Sequence, residues 1–170
     1  MDAQFISTLA IALAAVSSIA SALGVWVSRS QVQISRRTSQ IELYVNFRER
    51  NARADMNDAL VGLFAWRESN GPDFANTWIE RFRQGEPDAR VVNQYRRLIA
   101  VYVGDVASAY DLGALTPKLA RRVLGPNIYN VYLEICMPMH EALYGPITEA
   151  RANLNALLAK IRKIPDRLRV

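Results

Sequence analysis

The string Cys136-Met137-Pro138-Met139-His140 gathers the softest metal donors of the chain. A thiolate, two thioethers and an imidazole form a set that suits Cu(I). On a helix Cys136 and His140 lie one turn apart. Met137 and Met139 point to different faces and Pro138 distorts the turn, while Met and Cys are ordinary fillers of a kinked core helix. Core packing is therefore the expectation, with no metal and no cofactor assigned. The chain has 1 histidine, so a di-iron bundle site needing two Glu-x-x-His units and an imidazole-rich zinc site are both excluded. A nucleophilic pair on His140, with Glu134 or Glu141 beside it, is open by count. No nucleophile elbow or Gly-rich phosphate loop accompanies it, and no catalytic residue is assigned.

The charged residues point to binding rather than chemistry. The net charge of +5 comes entirely from residues 151–170, where six basic residues face one acidic, and the first 150 residues sum to zero. A basic end of this kind suits an anionic membrane surface as well as a phosphate backbone. Arg outnumbers Lys 18 to 3, but the arginines are scattered among acids without aromatic interleaving, so no nucleic-acid partner is expected. Lys160, Arg162, Lys163, Arg167 and Arg169 are the candidate contacts to lipid headgroups. Asp105 sits at the edge of an apolar stripe, and an inward carboxylate there would need a cation such as Arg121 or Arg122. The mixed cluster Arg48, Glu49, Arg50, Arg53 and Asp55 reads as a solvated helix face.

Before these residues runs a segment of another kind. No charge occurs between Asp2 and Arg29, and the 23 positions from Phe5 to Val27 would span roughly 34 Å as a helix, enough for a bilayer core. Ten of them are Phe, Ile, Leu or Val, which favours insertion. The start Met-Asp-Ala-Gln lacks the basic residues of a cleavable signal peptide, and the apolar run exceeds an ordinary signal core. Arg29, Arg36 and Arg37 follow it against Asp2 alone before it, which places the N-terminus outside and the rest in the cytoplasm. Ala10, Ala14, Ser18 and Ala22 recur at four-residue spacing and form a candidate helix–helix interface. The single Cys136 suits a reducing compartment.

The remainder is punctuated for helices. Asn70-Gly71-Pro72, Gly85-Glu86-Pro87, Gly113, Gly125-Pro126 and Tyr144-Gly145-Pro146 separate helix-sized pieces, and no alternating strand pattern appears. One long helix is expected over Ser28 to Ser69, its first turns solvated and its core face carrying Ile41, Tyr44, Val45, Met56, Leu60, Leu63 and Phe64. Asp73 caps a short helix bearing Phe74, Trp78 and Phe82. Asp88 begins another, whose buried stripe is Val91, Tyr95, Leu98, Tyr102 and Val106, with Gly113 ending it. Thr116-Pro117 starts a helix that stops at Gly125-Pro126. A further apolar helix from Asn127 contains Pro138, so a kink is expected around Glu134 to Pro138. The last carries Leu154, Leu157, Leu158 and Ile161 and ends at Pro165.

The residues from Tyr95-Arg96-Arg97-Leu98 through Tyr110-Asp111-Leu112-Gly113-Ala114-Leu115-Thr116 to Ile128-Tyr129 and the Ile147 to Arg151 region resemble an uncharacterised family of small bacterial proteins. Its members have one N-terminal membrane helix and a helical cytoplasmic domain. The resemblance covers about half the chain and implies a bacterial inner membrane location; the family carries no catalytic residues to transfer. The expected architecture is all-α: a transmembrane anchor over 1–28, a cytoplasmic multi-helix bundle over 29–165 and a basic tail over 166–170. The expected function is a membrane-anchored scaffold or interaction module whose partners are the lipid bilayer and another protein or a second copy. A membrane-perturbing or pore-forming role for the serine-rich first helix is the alternative, followed by an enzyme.

Overall fold

A computed structural model describes the backbone of residues 3–146 and 149–162, and the side chains of residues 24–146 and 152–162. The chain divides into two compact units, Met1–Ile41 and Glu42–Val170. Among the described residues the structure is helical throughout, without a strand. Helix α1 runs over Ala3–Asn51, α2 over Ala54–Asn70, α3 over Phe74–Arg83, α4 over Pro87–Asp111, α5 over Pro117–Val131, α6 over Met137–Tyr144 and α7 over Glu149–Arg162. A 3-10 turn at Gly71–Asp73 and a π turn at Tyr132–Cys136 link neighbouring helices.

In the first unit the side chains of 24–41 are exposed almost all the way round α1. Among the described residues no helix is long and apolar enough to cross a membrane. The span beginning at Phe5, with Ala10, Ala14, Ser18 and Ala22, lies outside the described side chains up to residue 23. So do Lys163, Pro165, Arg167 and Arg169 of the basic end.

In the second unit α4 is the central helix, packing against α2, α3, α5, the π turn and α7. The single helix expected over Ser28 to Ser69 is interrupted, because Arg53 adopts extended backbone (φ −68°, ψ 151°) between α1 and α2. No proline or glycine marks the break. Its cause is tertiary: Phe47 and Met56 are nine residues apart and both buried, whereas nine residues of uninterrupted helix would put them on opposite faces. The break lets both enter one core. Ile41 and Val45, expected on that face, are exposed instead, as is Phe64.

The stripe on α4 is rotated from its expected position. Val92, Arg96, Ile99, Tyr102, Val103 and Val106 are buried, while Val91 is 40% exposed and Tyr95 and Leu98 are half-buried. Helices on both flanks of α4 move its core face toward Val92 and Ile99. Tyr95 closes the α2 side, its ring lying so close to Gly62 that a Cβ there would sit 2.4 Å from Tyr95 Cε2. Trp78 and Phe74 are buried as the pattern implies.

Local chemistry accounts for the remaining ends. Thr116 is extended, and its hydroxyl accepts from the Leu119 amide, with Pro117 in the first turn. Asp73, in contrast, makes no cap bond; its backbone (φ −94°, ψ 15°) belongs to the preceding turn, and its carboxylate accepts from Asn76 Nδ2 at 2.7 Å. Gly125 interrupts α5 at φ 58°, ψ 165°, a conformation that disfavours a Cβ. The deviation expected near Pro138 is the π turn. The Met137 amide reaches back to Tyr132 O, and the extra residue in this turn relieves the clash that a proline ring makes with the carbonyl four residues earlier.

Candidate functional site

The π turn and α6 place the Cys136–His140 string. Cys136, Met137 and Met139 are buried in the core, as the packing expectation has it, and His140 lies at its margin. Among the described residues no group of three or more His, Cys, Asp or Glu stands together. The imidazole of His140 packs against the Tyr144 ring with centroids 4.4 Å apart and the planes tilted by 42°. Its Nδ1 lies 3.5 Å from Nη1 of Arg96. Arginine carries donors only, so Nδ1 is the accepting side of this contact.

Arg96 is the feature the sequence does not announce. It is 4% exposed, the one buried charged residue among those described. Its Nε and Nη2 both donate to Asn93 Oδ1, at 3.1 and 2.9 Å, and its guanidinium lies 5.5 Å from the centre of the Trp78 ring. The long alkyl stem and planar cation suit that position between a ring and an amide. Hydropathy patterns score arginine as outward. The only local signal is Asn93 three residues earlier, the spacing at which two helix side chains meet.

Glu134, one of the two carboxylates considered beside His140, instead accepts from Arg67 at 2.7 Å. The other, Glu141, is exposed on α6. Arg67 lines an open hollow of about 530 Å³ with Phe64, Glu68, Gly71, Pro72 and Phe74. Asp105 is exposed and pairs with Arg50 at 2.8 Å, so the α5 cation expected for it, Arg121 or Arg122, is replaced by one from the end of α1. The break at Arg53 ends α1 just past Arg50, which reaches Asp105 on α4. Arg81 binds both Glu86 and Asp88 and covers Trp66 at 5.2 Å. The hydrogen bond it donates to Glu86 first, then the charge of Asp88, raises its pKa above the ordinary arginine value. Pairs this exposed hold local geometry and add little stability.

No family model, curated protein or solved structure matches this chain. Of the basic candidates, Lys160 and Arg162 are on α7. Lys160 and Arg162 are exposed, and the Arg162 guanidinium lies 5.3 Å from the centre of the Tyr129 ring. The exposed large apolar residues of the second unit include Val61, Val101, Leu112 and Tyr144.

Proposed function

We propose that the protein is a single-pass, membrane-anchored helical module that works by binding rather than by catalysis. The observation that carries this reading is the uncharged segment from Ala3 to Ser28, followed by Arg29, Arg36 and Arg37. Such a segment favours insertion, and the arginines retain its C-terminal side in the cytoplasm. The bilayer is then one partner and a protein the other. Around His140, Arg96 approaches Nδ1 and the Tyr144 ring packs on the imidazole, contacts of the kind that hold a helix face in shape for binding. Lys160, Arg162, Lys163, Arg167 and Arg169 are the residues this reading sets against anionic headgroups of the inner leaflet, at about 1 kcal/mol each.

A reporter at the C-terminus tests the topology. Alkaline phosphatase, which needs the periplasm to fold, is expected to be inactive when fused after Val170, and a fluorescent protein that folds in the cytoplasm is expected to be bright. Active phosphatase with a dark fluorescent fusion would overturn the cytoplasmic placement.

A further inference from the structure

Among the described residues, α1 in the first unit presents an exposed apolar row. Val27, Ile34 and Ile41 recur every seven residues on α1 and are 44%, 65% and 60% exposed. Gln31 and Thr38, both exposed, fall between them at the positions that complete a 3.5-residue repeat. A repeat of that period is the seam of a left-handed two-stranded coiled coil. With Val27, Ile34 and Ile41 as its d positions, Gln31 and Thr38 take the a positions. The uncharged polar residues there set register at some cost in stability.

The charges single out this seam among the rows of the helix. Every charged residue from Val27 to Glu42, namely Arg29, Arg36, Arg37 and Glu42, falls at e, f or g. Arg29 and Arg36 occupy f, the position farthest from a partner. Arg37 occupies g, and Glu42, five positions on along the unbroken helix, occupies the following e. In a parallel pair these are the two positions that face each other across the seam, so Arg37 of each copy meets Glu42 of the other. A foreign helix would have to supply that complement; a second copy does so twice.

We propose that α1 pairs in parallel with α1 of a second copy through Val27, Gln31, Ile34, Thr38 and Ile41. This deepens the interaction-module reading by naming the partner, and it rests on that reading only for the idea that the chain acts by binding. Val32 is 52% exposed and lies off the seam, which makes it the natural control.

The test is disulfide trapping of the full-length chain in isolated membranes with copper phenanthroline, against the wild type with its buried Cys136 as background. Val27→Cys and Ile41→Cys are each expected to give a covalent dimer with themselves, and Val32→Cys to give only background. Adding Ile34→Arg is expected to reduce the Val27→Cys dimer by roughly tenfold or more, because a charge would be buried in the seam. Trapping only between Val27→Cys and Ile41→Cys in a mixed sample would show antiparallel pairing and overturn the proposal. Equal trapping at Val32→Cys, or none at any position, would overturn it too. The share of each variant that sediments with membranes is measured in the same samples, so loss of the seam and loss of the anchor are read separately.

Discussion

The hydroxyl of Tyr102 lies 3.2 Å from the backbone carbonyl of Phe47, to which it donates, and 3.3 Å from that of Val123. One phenol on α4 thus joins the end of α1 to α5, and the Phe47 ring meets it edge-on with centroids 5.9 Å apart. The hydroxyl has a single proton, so it serves these two buried carbonyls in turn.

Tyr102→Phe keeps the ring and removes the donor. The expected loss is about 1 to 3 kcal/mol of folding stability, the cost of leaving a buried acceptor without its partner. The hydroxyl also makes this loss depend on pH. Burial pushes the Tyr102 pKa up from 10.0 to about 12, against the lowering influence of Arg50 and then Arg48. A tyrosine is neutral when protonated, so the folded chain holds this proton more tightly than the unfolded chain. The contribution is fully present below pH 10 and is lost as pH rises through about 12. Denaturant midpoints from pH 8 to 12 should converge for wild type and Tyr102→Phe at the alkaline end; a constant gap would show that Tyr102 does not titrate in this way.

Two glycines inside helices separate packing from propensity. Nothing lies within 4 Å of a Cβ at Gly104, so Gly104→Ala should stabilise the chain by about 0.5 to 1 kcal/mol. A Cβ at Gly62 would meet Tyr95 Cε2 at 2.4 Å and Cδ2 at 2.7 Å. The overpacking cost of about 1 to 3 kcal/mol then exceeds the gain in helix propensity. Gly62→Ala is therefore expected to destabilise, and adding Tyr95→Ala should remove most of the clash. Stabilisation by Gly62→Ala alone would place Tyr95 elsewhere.

The rotation of the α4 stripe also has a measurable consequence. Ile99 is fully buried and Leu98 only half-buried. Ile99→Ala should cost about 2 to 5 kcal/mol, and Leu98→Ala clearly less. The reverse ranking in chemical denaturation would restore the face read from the apolar spacing.

What was legible in the sequence was local. Thr116-Pro117 carries its own cap, Gly125 its own backbone conformation, and Pro138 removes a bond that the preceding turn must accommodate. The break at Arg53 and the interior place of Arg96 were not legible. The first is set by Phe47 and Met56 sharing one core across α4, and the second by a Trp78 ring and an Asn93 amide that make room for a cation. The partner of Asp105 is not legible for the same reason, since Arg50 is 55 residues away in sequence and meets it only through the tertiary fold. Of the proposed site, the seven-residue recurrence of Val27, Ile34 and Ile41 is plain in the sequence, but its exposure is not.

The proposed bilayer anchor is the segment from Phe5 to Val27. Membranes from cells producing the full chain can be washed with alkaline carbonate, alongside those of a chain lacking residues 5–27. The full chain is expected to stay in the pellet until detergent is added, and the shortened chain to be released or absent from the membranes. Release of the full chain by carbonate alone would show that this segment does not span the bilayer.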